Sequence, residues 1–180
     1  AREMLFITKA NSKSTVHRSA YLDYVGIKVF DHAGREVGEK RFLGLFTSVA
    51  YSRNPRDIPL LRHKVAQVMT DSGIEPQSHA GKALQHVLDT YPREELFQTS
   101  VEDLTRITTG IMSLQERQRV KLFVRRDAFH RFVSCLVFVP RDKYDTEVRQ
   151  RLEAILLARY KGVDSEHRVQ LSDSSLARVQ

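Results

Sequence analysis

Lys9 and Lys13 lie within Thr8-Lys9-Ala10-Asn11-Ser12-Lys13-Ser14-Thr15, and His17 and Arg18 follow closely. Ammonium groups, hydroxyls and successive backbone N–H groups can together hold a small anion. Lys9, Asn11, Lys13, His17 and Arg18 are therefore a candidate anion or effector loop. The competing reading is a polar surface loop or a domain contact. A second basic cluster comprises Arg117, Arg119, Lys121, Arg125 and Arg126, interrupted by apolar residues. On a strand, Lys121, Phe123 and Arg125 share one face. A basic pair around an aromatic matches the rim and anchor of a protein interface, where Arg and Phe are enriched. This trio is the candidate interface, and a solvated strand face is its plainer alternative.

Other chemistries lack their residues in the sequence. A dinucleotide fold needs a Gly-rich turn so that backbone can approach the pyrophosphate. No G-x-G-x-x-G and no P-loop occurs. Among the seven histidines, His79 and His86 could share a helix face, but no third ligand sits at close spacing. Cys135 lies inside the apolar run Val133 to Val139, where a cysteine is usually a small core residue. A nucleophile needs access and a depressed pKa instead. The expectation is no catalytic, cofactor-binding or metal-ligating residue in this chain. One cysteine excludes an internal disulfide and suits a reducing compartment.

The net charge of +7 invites a nucleic-acid reading. Against it, the basic residues are scattered and there is no Trp and no aromatic ladder. A stand-alone basic nucleic-acid-binding module is kept as the alternative function. At 41% hydrophobic and 28% charged, the composition is that of a globular protein with a real core. No apolar run approaches the roughly 20 residues that span a bilayer, so no membrane partner is expected. The chain opens without Met and closes on Leu176 to Gln180 in a strand-like pattern, as expected of a piece of a longer protein.

The elements follow from periodicity. Leu5 to Thr8 reads as a short strand and Asn11 to Thr15 as a polar loop. Tyr21 to Phe30 and Glu36 to Thr47 read as a hairpin around Asp31-His32-Ala33-Gly34. Asp57 can cap a helix with Pro59 in its first turn and Ile58, Leu61, Val65 and Val68 on one face, ended by Gly73. His79 to Thr90 repeats the pattern with Ala80, Ala83, Leu84, Val87 and Leu88, and Tyr91-Pro92 breaks it. Ser100 starts a third helix carrying Leu104, Ile107, Ile111 and Leu114. Arg131 to Val139 is nearly all apolar and reads as a central strand. Leu136 and Phe138 should be buried there, flanked by Leu122 or Val124 across a hairpin. Asp145 or Thr146 caps a helix with Val148, Leu152, Ile155, Leu156 and the Arg159 stem on one face and Gly162 just past its end. Arg168 to Leu171 returns as a strand. The fold class is α+β.

Three blocks carry a family resemblance. Tyr91 to Asp145, Thr8 to Tyr24 and Arg41 to Tyr51 resemble, in the same order, the very large NAD-dependent glutamate dehydrogenases of bacteria. The resemblance covers nearly the whole chain. It implies a segment of the regulatory half, ahead of the catalytic domain. It also implies three parts: the C-terminal part of a PAS-like antiparallel sheet over 1–55, a helical connector over 56–117, and an ACT-like, ferredoxin-like α/β sandwich over 118–180. The helix at Ser100 has no obvious preceding strand, so the βαββαβ order is incomplete or permuted. Effectors of ACT-type domains bind near turns, which makes the Phe129-His130 loop and the start of the Asp145 helix a second candidate. No Gly-rich effector turn stands there. The resemblance further implies NAD as the parent's cofactor, though none in this segment. The implied partners are other domains and subunits of a cytoplasmic homo-oligomer, with a small-molecule effector as a further candidate.

Overall fold

The computed structural model describes residues 4–16, 19–116, 119–171 and 174–180. His17, Arg18 and Arg117 lie outside the described residues. The chain divides into two compact units, Ala1–Leu104 and Thr105–Gln180. The mixed α+β class holds: a three-stranded antiparallel sheet, helices, then a four-stranded antiparallel sheet.

In the first unit β1 (Leu5–Lys13), β2 (Tyr21–Phe30) and β3 (Glu36–Gly44) pair in the order β1-β2-β3. β1 is longer than expected, because Asn11, Ser12 and Lys13 are strand and not loop. The register shifts between Lys9 and Lys13, and Lys13 then pairs with Tyr21. Its ammonium lies 4.7 Å over the Tyr21 ring, a contact that holds a polar segment on the sheet edge. The β2–β3 turn is built as the sequence indicates. Gly34 has φ 74°, and the Asp31 carboxylate accepts from the N–H groups of Ala33 and Arg35 at 2.9 Å. Those bonds, that from the Arg35 backbone first, hold the Asp31 pKa below its ordinary value.

A short helix α1 (Ser48–Ser52) leads to a 3-10 turn, Pro55–Asp57, where Asn54 Oδ1 accepts from Arg56 N at 2.9 Å. Asp57 does not cap the next helix. Pro59 forces Ile58 into extended backbone (φ −99°, ψ 121°), so α2 starts only at Leu61 and runs to Asp71. α3 (His79–Thr90) has the expected bounds, with Ser78 Oγ accepting from Gly81 N. Gly81 is required there, since a Cβ would stand 2.2 Å from the Glu75 carbonyl oxygen. α4 (Arg93–Gln98) was not foreseen; it follows Pro92, has Glu94 and Glu95 in its first turn, and buries Leu96 and Phe97. α5 (Val101–Glu116) starts where Ser100 Oγ accepts from Asp103 N at 3.1 Å. Leu104, Ile107, Ile111 and Leu114 are all buried, as their spacing requires.

In the second unit β4 (Lys121–Arg126), β5 (Val133–Pro140), α6 (Thr146–Tyr160), β6 (Val169–Gln170) and β7 (Leu176–Val179) follow α5. The sheet order is β4-β5-β7-β6. β5 is central, and its residues from Leu136 to Pro140 are buried consecutively, so both faces are covered. One face carries Phe123 and Leu136, paired in register, and Phe123 packs against Gly110 of α5. The other carries Val137, Val139 and Val179 beneath Tyr144, Val148, Leu152 and Leu156.

Three expectations change here. Leu136 and Phe138 are buried, but they stand opposite Phe123 and Lys121, not Leu122 or Val124. Parity fixes this: Leu122 pairs with Val137 on the opposite face. Ile155 is 61% exposed, because the inward stripe of α6 follows the i, i+4 series 148, 152, 156 and turns away from it. Arg159 is exposed as well. At the C-terminus of α6, Lys161 takes the left-handed conformation (φ 54°), one residue before Gly162. The Gly162 N–H donates to the Leu157 carbonyl at 2.9 Å, and a Cβ at 162 would stand 2.8 Å from Leu157 Cδ2.

Candidate functional site

Lys9 is held by carboxylates. Its Nζ lies 2.7 Å from Asp23 Oδ1 and 3.3 Å from Glu94 Oε2. The other Asp23 oxygen accepts from Phe46 N at 3.2 Å, and Tyr51 Oη donates to Glu94 Oε1 at 3.2 Å. β1 and β2 supply Lys9 and Asp23 as a directly opposite pair, while α4 supplies Glu94. Beside them the Phe46 and Phe97 rings stack at 4.4 Å. The cluster clamps the sheet of this unit to its helices. Lys9 therefore spends its charge inside the fold, while Asn11 and Lys13 stand at the surface.

The Lys121 trio divides by exposure, although the Lys121 ammonium stays 5.9 Å from the centre of the Phe123 ring. Lys121 is exposed, whereas Phe123 and Arg125 are buried. The Phe123 ring meets Phe138 edge-on at 6.0 Å, and the Arg125 guanidinium lies 5.6 Å from the Phe132 ring. Phe123 is thus a core residue of its own unit.

The β4–β5 loop is tightly organised. The buried Asp127 carboxylate accepts from Phe129 N at 3.2 Å and from Arg131 Nε at 2.8 Å. His130 has φ 58°, and Phe129 is left 53% exposed beneath the Arg131 guanidinium. Two further cations do local work that the sequence did not reveal. Lys64 Nζ donates to the carbonyls of Leu96, Phe97 and Thr99 at 3.1, 2.8 and 2.8 Å, closing the C-terminus of α4. Arg93 Nη2 donates to the Arg53 carbonyl at 3.0 Å, and burial lowers the Arg93 pKa against the nearby Asp89 charge. Both roles depend on segments distant in sequence, so no local pattern marks them.

Among the described residues, no group of three or more His, Cys, Asp or Glu could hold a metal ion. No described helix is long and apolar enough to cross a membrane.

The comparisons with known proteins give this arrangement its context. Residues 58–117 match the family model for glutamate dehydrogenase, helical motif 1, and residues 121–180 match that for the glutamate dehydrogenase ACT2 domain. The NAD-specific glutamate dehydrogenase of Halomonas elongata is 43% identical over 178 residues. This chain belongs to that glutamate dehydrogenase family. The enzyme of the same description from Pseudomonas aeruginosa is 45% identical over 177 residues, and that from Mycobacterium tuberculosis 32% over 175. These alignments take in 97 to 99% of this chain but 11% of each relative. The match supports the glutamate dehydrogenase reading over the nucleic-acid alternative. The helical-motif region spans α2 to α5, including Lys64, and the ACT2 region spans both β4–β5 and α6.

Proposed function

We propose that this chain is a non-catalytic regulatory and assembly segment of a full-length NAD-dependent glutamate dehydrogenase. The parent reaction is oxidative deamination of L-glutamate: hydride passes to NAD⁺, water supplies the keto oxygen of 2-oxoglutarate, and ammonia leaves. NAD is held elsewhere in the parent. The observation that carries this reading is the pairing of a helical motif and an ACT2 region with a sequence lacking any Gly-rich dinucleotide turn. The three-part organisation, with a PAS-like sheet over 1–55, a helical connector over 56–117 and an ACT-like unit over 118–180, belongs to the same proposal.

The segment serves domain packing and subunit contact in a cytoplasmic homo-oligomer. Of the interface trio, Lys121 is the member with surface to offer. Of the anion-loop residues that the structure describes, Asn11 and Lys13 are exposed, so an effector would meet those first. The test is Lys121→Glu in the full-length enzyme, read by both assembly state and turnover. Weakened assembly with kcat per assembled enzyme retained supports the reading. Unchanged assembly with turnover lost would contradict it.

A further inference from the structure

Two turns of this chain are built to one plan. In the β2–β3 turn the Asp31 carboxylate accepts from Ala33 N and Arg35 N, each at 2.9 Å, and from Arg35 Nε at 2.8 Å. In the β4–β5 turn the Asp127 carboxylate accepts from Phe129 N at 3.2 Å, Arg131 N at 3.4 Å and Arg131 Nε at 2.8 Å. The third residue after each aspartate is left-handed, Gly34 with φ 74° and His130 with φ 58°. Its N–H donates to the aspartate carbonyl at 2.9 Å in both turns. The residue before it is Ala33 in one turn and Phe129 in the other, so the plan closes without an aromatic side chain. Phe129 is nonetheless 53% exposed, with the Arg131 guanidinium 5.2 Å from its ring.

A large apolar ring presented on a firmly held loop has the form of a binding anchor, because little conformational freedom remains to be lost on docking. Its surroundings define the complement. Arg126, His130 and Arg131 flank it, and all three are exposed. From Arg119 to Phe132 the sequence has five Lys and Arg and one acidic residue, Asp127, which is buried and engages Arg131. Thr105–Gln180 as a whole holds fifteen Lys and Arg against nine Asp and Glu, which is +6 of the chain's +7.

We propose that Phe129 docks, in the full-length protein, into an apolar pocket rimmed by carboxylates on a part of the same subunit outside residues 1–180. The inference rests on the family reading, in which the matched span is 11% of each relative. Tethering selects this occupant. One ring and its collar offer far less than the roughly 800 Å² per partner of a stable complex between free proteins. A partner on the same polypeptide needs less, because its effective concentration reaches about the millimolar range. A second copy of the same turn would set one cationic collar against another.

The test is hydroxyl-radical footprinting of the unmodified full-length protein without added amino acid. Phe123 and Phe138 serve as internal references. The exposures, 53% against 6 and 7%, make an open Phe129 oxidise about eightfold faster than either. Docked, Phe129 should oxidise at the reference rate. A ratio closer to eightfold than to unity overturns the proposal. So does protection that appears only when an amino acid is added, which would mark an effector site. A photo-crosslinking residue, benzoylphenylalanine, at Ala128 then reads the occupant, while the footprint stands by itself should that variant fail to fold. The expected product keeps the mass of one subunit, and its joined peptide lies outside residues 1–180 and contains Asp or Glu. A product of two-subunit mass, a peptide within residues 1–180, or one lacking acidic residues overturns the proposal. Glutamate-dependent NADH formation by the same protein tests the family reading alone. An active enzyme with an open Phe129 sinks this inference and leaves that reading standing.

Discussion

The Lys9 ammonium stands 2.7 Å from the Asp23 carboxylate across the β1–β2 ladder, with side-chain exposures of 16 and 5%. Removing one partner of a withdrawn ion pair leaves the other charge desolvated, which costs far more than the pair is worth. Lys9→Met is therefore expected to destabilise the first unit by about 3 kcal/mol. Lys9→Met with Asp23→Asn should recover part of that loss, since the amide carries no charge and its oxygen can still accept from Phe46 N. Denaturant unfolding of the single and double variants checks both statements, and a single variant as stable as the wild type would remove the clamp from the account.

The second unit depends on Leu136, which is 4% exposed and pairs with Phe123. Leu136→Ala leaves a cavity between α5 and the sheet and should cost about 2–5 kcal/mol. A loss below about half a kcal/mol in denaturant unfolding would mean the strand is not central.

Lys121 and Arg125 should respond differently to charge reversal, although sequence alternation makes them equivalent. Lys121 is exposed, so Lys121→Glu should change the stability of the isolated segment by about 0.5 kcal/mol or less. Arg125 is buried over the Phe132 ring, so Arg125→Glu should destabilise the second unit by at least about 2 kcal/mol. Thermal unfolding of the two variants separates them, and equal small shifts would place Arg125 at the surface.

The Asp31 carboxyl should titrate below the ordinary Asp value of about 3.9. A depressed folded pKa means the turn is stabilised above the ordinary value, and that support is lost as pH falls through the folded pKa. Carboxyl-resolved NMR titration reads this directly. Asp31→Asn should flatten the acid limb of the stability curve, and an unshifted Asp31 would show that the turn bonds do not form in solution.

Much of this fold is legible in the sequence because its signals are local. Ser78 and Tyr91-Pro92 bound α3, Asp145 caps α6, Gly34 sets the hairpin turn, and the 3.6-residue spacing of Leu104, Ile107, Ile111 and Leu114 marks the buried stripe of α5. What was not legible depends on contacts far along the chain. α4 has six residues, too few to show a period, and its end is closed by Lys64 from α2. The facing of Phe123 depends on the β4–β5 register, which one residue of parity reverses. The basic character of Lys9 was plain, but its carboxylate partners lie on β2 and α4. The surface role expected of Lys9 thus gives way to an internal one, while Asn11 and Lys13 stay open to solvent.

The proposed function leaves the dehydrogenase chemistry to parts of the parent outside this segment. The direct measurement is glutamate-dependent NADH formation by the pure 180-residue chain, run beside the full-length enzyme and paired with NAD⁺ titration calorimetry. No NADH and no binding heat are expected from the segment, with both present in the full-length protein. Glutamate-dependent NADH produced by the segment alone would contradict it.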